Sequence, residues 1–305
     1  MDDAVNYNVN SRVILSLDFE CGWGGIESGR YLTREKNGVY KRLRPILKQF
    51  LVELDALEFP AVWATVGAMV SSPEPGDFSH LPESVQERIC RFLVESESKT
   101  QDGRDLFDAL LSSSVAHEIA SHTFSHTRFD YHGYDVRSQS EDLNKSIDIL
   151  ESYSGVRPVS LVFPQNIVPS YAAAASAGFK VARVPHDSSN STVKNRFTRF
   201  AQQILKEPPP VYEKECVPGV ISHAATLFFN WGVGKSSSIR RLLILRQAKR
   251  ALLRTALGNG DTHFWLHPYN LAETPRLLDG LLVVLREAVS LRDRGLLDIT
   301  TMSKS

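Results

Sequence analysis

Two histidines four positions apart, His122 and His126, stand in the run Glu118-Ile-Ala-Ser-His-Thr-Phe-Ser-His. Imidazoles at that spacing project the same way if the segment makes one helical turn. Neutral imidazole is the commonest protein ligand for a divalent transition metal. A mononuclear site also needs another protein donor and an open position for water or substrate. Asp18 and Glu20 are candidates, at the end of Val13-Ile-Leu-Ser-Leu. One residue apart on a strand, they point to one face, where one carboxylate can bind metal while the other accepts a proton from water. A third segment, His263-Phe-Trp-Leu-His267-Pro268, ends in a histidine suited to general-acid work near neutral pH. The chemistry these parts imply is metal-assisted hydrolysis. Each has a plainer reading, a solvated strand-end acid or a core histidine, and their combination is what argues for a site. Ser121, Thr123 and Ser125 offer hydrogen-bond partners of the kind metal-bound histidines use.

The elements that must position these residues alternate along the chain. Short apolar runs at 13–19, 61–66, 115–121, 159–163, 179–184, 262–267 and 296–300 predict strands, with a further candidate at 219–224. Helical spacing lies between them. In 83–95, Val85, Ile89, Phe92 and Leu93 share a stripe behind Pro82. In 138–154, Ser138 and Glu141 resemble a capping box and Gly155 ends the helix. In 275–294, Thr274 caps, Pro275 starts and Gly295 stops the helix. Strands alternating with helices imply parallel pairing and an α/β domain. Asp18, Glu20, His122, His126, Asn166 and His267 all fall at or just beyond strand C-termini, where α/β folds gather their ligands. No glycine-rich fingerprint follows the first strand, which argues against dinucleotide binding. A single domain over 1–305 is expected, with 185–260 as an excursion carrying a basic amphipathic helix.

Bulk properties exclude some function classes. Thirty-five basic and 35 acidic residues leave no net charge, so nothing global points to nucleic acid. Charge is uneven, however. From Cys216 to Gly260 there are seven Lys or Arg and no Asp or Glu. Residues 238–257 are amphipathic at helical period, either a barrel-flanking helix with a solvated basic face or a peripheral contact with anionic membrane. Gly232-Val-Gly234-Lys235-Ser236 is an incomplete phosphate loop, because position 229 is Phe where that motif needs Gly. Three widely spaced cysteines (Cys21, Cys90, Cys216) read as reduced thiols, and the polar N-terminus contains no export segment. The expectation is a cytoplasmic protein, peripheral at the membrane if 238–257 meets lipid.

Taken in order over about 12–270, the motifs resemble the polysaccharide deacetylase family, also called the NodB-homology family or carbohydrate esterase family 4. The carriers are Ser16-Leu17-Asp18-Phe19-Glu20, His122-Thr123-Phe124-Ser125-His126, Phe163-Pro164-Gln165-Asn166 and Leu266-His267. The resemblance implies a distorted (β/α)7-type barrel, one divalent metal (zinc before others), and hydrolysis of an N-acyl group from an amino sugar or glycan. It implies Asp18 as general base, Glu20, His122 and His126 as metal ligands, and His267 as general acid. Trp23, Asn166, Arg183, His263 and Tyr269 are placed at the substrate, with Trp231 a further stacking candidate. The chain departs from the family pattern in three places. Its second carboxylate is a glutamate one residue late. Gln165 stands where an arginine usually orients the base, a role for which Arg183 is the candidate. A fourth motif, Asp/Ser-x-Asp-Trp, has no counterpart. Substrates expected are nucleotide- or lipid-linked precursors. The alternatives are a deformylase or cyclic-amide hydrolase on the same site, and a carbohydrate-binding protein with a decayed site.

Overall fold

The computed structural model describes residues 11–168, 171–185, 210–211 and 213–304. Among the described residues, ten strands lie in one sheet: β1 (Arg12–Phe19), β2 (Val62–Thr65), β3 (Glu118–Ser121), β4 (Ser160–Val162), β5 (Val181–Pro185), β6 (Glu213–Val217), β7 (Val220–Ala225), β8 (Leu227–Phe228), β9 (Thr262–Leu266) and β10 (Asp298–Thr300). β1 through β5 pair in sequence order and in parallel. β7 then pairs with β5, and β8, one residue further along the same chain direction, pairs with β9. Thr226 bridges the two by donating its N–H to the His263 carbonyl. With β9 parallel to β1, the circuit closes into a seven-stranded barrel, as the motifs imply. Its distortion has a visible cause. β1 pairs with β10 at Arg12–Ile14 and with β2 only from Ser16, so the C-terminal strand is wedged into the barrel floor.

The two parities of each strand have different jobs. Val13, Leu15, Leu17, Phe19, Trp63 and Ile119 join the large core beneath the helices. Ile14, Val62, Ala64, Ala120 and Val162 form a separate small cluster with Met302, filling the lower barrel. Strands buried on both faces are the expected state of parallel sheets covered by helices. Helix Val39–Ala56 shows the outer packing, burying Tyr40, Leu43, Leu47, Phe50 and Leu54 at spacings of three and four. Truncating Phe50 or Trp63 to Ala there removes about 3–5 kcal/mol.

Most helical expectations stand, with shifted ends. Glu83–Glu95 matches its expected span. The next long helix begins at Val136 because Asp135, not Ser138, is the N-cap; its side chain accepts the Ser138 N–H, so the proposed Ser138/Glu141 box is corrected. The last long helix runs Leu277–Asp293 behind Arg276 (φ 59°), leaving Thr274 and Pro275 outside it. The stretch 185–260 is less of an excursion than expected. It holds the barrel strand β7/β8, the hairpin partner β6, and helix Ser237–Ala256, while 186–209 lie outside the described residues. Gly232–Ser236 form the turn that leads into that helix.

Candidate active site

Above the small apolar cluster, the inward parity of β1 continues as Ser16, Asp18 and, just past the strand, Glu20, a row that the two-residue repeat of a strand aligns on one face. Ala64 and Ala120 on the neighbouring strands leave room for larger polar groups at this level. The guanidinium of Arg183, from β5, enters there with no exposed surface. Its Nη1 donates to Asp18 Oδ1 at 2.5 Å and to Ser16 Oγ at 2.9 Å, and its Nη2 donates to Asp18 Oδ2 at 2.7 Å. Burial alone would raise the Asp18 pKa, but Arg183, assisted by His267, outweighs it and holds the group below the usual carboxylate range. Asn166 Oδ1 accepts a further Nη2 bond at 3.1 Å.

Glu20, His122 and His126 converge. One ligand-capable atom from each lies within 4.8 Å of the others. His122 Nδ1 is 2.7 Å from the Val162 carbonyl, and a carbonyl can only accept, so Nδ1 carries the hydrogen and Nε2 offers a lone pair. That lone pair faces Glu20 Oε2 at 3.2 Å, and His126 Nε2 reaches the same oxygen at 2.8 Å. Burial would neutralise Glu20, yet the charges of His126 and His267 keep its pKa well below normal. The same carboxylate raises the His126 pKa against the opposing effect of burial. A buried anionic oxygen facing an imidazole lone pair is a donor set suited to a divalent cation, and the residues present fit one.

The histidine pair does not ride on a helical turn, which corrects the geometry expected from its spacing. The segment is a bent loop with Thr123 (φ 64°) and His126 (φ 55°) in the left-handed region. Residues other than Gly pay for that conformation, so the surroundings must hold it. Buried Asp142 does so, accepting the Phe124 N–H at 2.9 Å and the Ser125 N–H at 3.4 Å while bonded to His80 Nε2 at 3.1 Å. Ser121 Oγ accepts the Thr123 N–H, and Thr123 Oγ1 accepts the His126 N–H. These hydroxyls therefore shape the loop rather than bonding the imidazoles.

His267 completes the group, with Nε2 3.6 Å from Glu20 Oε1 and 3.8 Å from Asp18 Oδ2. Its ring stacks on Tyr269 at 5.0 Å, and Arg34, tied to Glu273, lies 4.0 Å over that same tyrosine. A cleft of about 540 Å³ opens over these residues and is lined by Asp18, Glu20, His122, His126, His267, Asn166, Trp265 and Tyr269, with Glu27, Arg30 and Arg34 on its rim. That volume is in the range of small-molecule sites.

Several expected substrate contacts are elsewhere. Trp23 is 1% exposed, packs on Phe78 and Phe92, and donates Nε1–H to the Gln101 carbonyl. Trp231 is buried and bonded to the Pro275 carbonyl. His263 sits lower in the barrel, buried, with Nε2 2.7 Å from Ser16 Oγ, and Arg183 is buried behind Asp18. Asn166 and Tyr269 do reach the cleft. Gln165 turns away from Asp18 and bonds Glu27.

The sequence reading missed Asp142, Trp265 and Gly24. Asp142 is an acid on the apolar stripe of its helix, and Trp265 shares strand parity with His263 and His267; both signals were present in the sequence. Gly24 has no Cβ because the Glu20 carboxylate occupies that space.

Solved structures with this fold include a Mycobacterium smegmatis protein carrying the name polysaccharide deacetylase (TM-score 0.65, 14% identity, 97% of this chain and 88% of that one). They also include Puue allantoinase (0.56, 14%, 97% and 89%) and a GH57-type branching enzyme from Pyrococcus horikoshii (0.54, 12%, 96% and 69%). Among curated proteins, none matches. At these identities the structural likeness speaks for the fold. Sequence adds one match: residues 43–182, which include both site histidines, match the polysaccharide deacetylase model. Over that segment the chain is similar to the polysaccharide deacetylase family, a match that indicates a hydrolase of non-peptide carbon–nitrogen bonds.

Proposed function

We propose that the protein is a metal-dependent deacetylase of an N-acetylated amino sugar, acting on a nucleotide- or lipid-linked precursor. One observation carries this reading. The convergent Glu20, His122 and His126 donors lie in the same cleft as Asp18 and His267. Glu20, His122 and His126 would hold a divalent ion, zinc being the first to test. When bound, such an ion supplies Lewis acidity, lowering the pKa of water and polarising the amide carbonyl.

The remaining work belongs to the chain. Asp18, kept ionised and fixed by the Arg183 fork, accepts the proton of the attacking water. An amine is a poor leaving group until protonated, and His267, partly exposed and stacked on Tyr269, is placed to deliver that proton. Trp265, half-buried in the cleft wall, is the aromatic side chain offered to a sugar ring in place of Trp23 and Trp231, since the Tyr269 ring is covered by His267 and Arg34. A cytoplasmic location remains part of the proposal, supported by three cysteines free of disulfides and tested by cell fractionation.

Metal analysis paired with a deacetylation screen tests the reading. Wild-type protein should bind about one divalent ion per chain and release acetate from an N-acetyl amino sugar. His122→Ala should lose both. Full metal loading in that variant, or no acetate release by metal-loaded wild type from nucleotide- or lipid-linked sugars, would overturn it. A ring-amide hydrolase is the second reading, favoured by the Puue allantoinase among structures of this fold. Formyl and cyclic-amide substrates in the same screen separate the two.

A further inference from the structure

Helix Ser237–Ala256 has an unusual outward face. Its inner side buries Ala248, Ala251, Leu252 and Thr255. Opposite them, Ile239, Leu242 and Leu253 are 60%, 68% and 55% exposed, and Leu257 at the C-cap is 66% exposed. At the helical repeat these four share one sector with Arg246, Lys249 and Arg250. No acidic residue between Cys216 and Gly260 balances them. Scattered exposed aliphatics are ordinary on a soluble domain. Four on one helix face, interleaved with cations alone, need a partner that is both apolar and anionic.

A second copy of the chain is a poor partner. Pairing this face with itself would bring Arg246, Lys249 and Arg250 of two molecules into one seam, where like charges repel. An anionic lipid surface suits both components, taking the aliphatics at the acyl boundary and the cations at the headgroup phosphates. Among the described residues no helix is long and apolar enough to cross a membrane, so the contact would be peripheral. The helix also begins shortly after Phe228, whose ring lies 5.6 Å from that of His267. We propose that the outward face of Ser237–Ala256 docks the protein on anionic membrane. This surface is independent of the reaction assigned above.

Sedimentation of the full chain with phosphatidylcholine vesicles, with and without phosphatidylglycerol, tests the proposal. The expected result is binding only to the anionic vesicles, weakening as salt rises. Arg246→Glu/Lys249→Glu should lower the partition coefficient roughly thirtyfold or more. Leu242→Ser/Leu253→Ser should abolish binding, with thermal melting and metal content unchanged in both variants. Absence of cosedimentation at low salt, equal binding to neutral vesicles, or wild-type binding by either variant would overturn it. So would a vesicle-independent dimer in light scattering that Leu242→Ser dissolves.

Discussion

Arg183 and Asp18, 165 residues apart, meet as a buried two-pronged pair, Nη1 to Oδ1 at 2.5 Å and Nη2 to Oδ2 at 2.7 Å. Neither partner can move without stranding the other. A lysine at 183 has one ammonium and cannot reproduce the fork. Arg183→Gln removes the charge that offsets burial at Asp18, so the Asp18 pKa should rise and the acid limb of the kcat/KM profile should move to higher pH. The expected loss of kcat is on the order of 10²-fold, together with about 3–5 kcal/mol of stability from the uncompensated buried charge. A pH–rate profile and a urea titration check both. An unchanged acid limb would mean that Arg183 does not control the base.

This pair also marks where sequence reading succeeded and stopped. The seven barrel strands and the five cleft residues are legible because strand runs and strand-end polar residues are local patterns. The replacement of Gln165 by Arg183 is not local. It depends on β4 and β5 lying side by side, with Val162 opposite Arg183, so an arginine on the second strand reaches the aspartate that one on the first would otherwise serve. Trp23 shows the opposite limit: it is near Glu20 in sequence but not near the cleft, because the turn at Gly22–Gly25 sends its ring into the core. The loop at His122–His126 shows a third limit. Its spacing matched a helical turn, but its shape is set by Asp142, which no short-range pattern links to it.

Gly24 should be intolerant of any side chain. An added Cβ would overlap the Glu20 carboxylate, and that carboxylate is one of the three convergent donors. Gly24→Ala should therefore reduce bound metal well below about one ion per chain while leaving the barrel folded, because the displaced group lies above the core. Elemental analysis beside a circular dichroism melt makes the comparison. Full metal content with unchanged activity would remove Glu20 from the ligand set.

Asp142 stabilises the histidine loop from below. Asp142→Ala leaves the Phe124 and Ser125 N–H groups and His80 without their shared acceptor in a buried site. The cost should be about 2–3 kcal/mol in urea unfolding, with weakened metal affinity because the left-handed residues lose their support. Asp142→Asn keeps one acceptor oxygen and should recover part of both. If the alanine variant matched wild type in metal affinity, the loop would be held by its hydroxyls alone.

Stability should fall on mild acidification, and the responsible groups can be named. Burial pushes His117 down to about 4 against the pull of Asp55, and its Nδ1 accepts the Ala61 N–H, a bond that protonation would break. Burial, followed by the charges of Arg12 and Arg183, likewise puts His223 at about 4. In the unfolded chain both titrate near the ordinary value of about 6.5. Between these limits the unfolded state binds more protons, so stability rises with pH. Their contribution is complete above about 6.5 and is lost as pH falls to about 4, with a slope of up to about 1.4 kcal/mol per pH unit for each histidine. His126 works in the other window, since its raised pKa favours folding below about 6.5 and that gain is lost as pH rises through the shifted value. His117 is remote from the cleft, which makes it the clean probe. His117→Gln should flatten the slope of urea-derived stability between pH 5 and 6.5 by about 1 kcal/mol per unit, leaving the pH–rate profile alone. An unaltered slope would mean that His117 keeps an ordinary pKa in the folded protein.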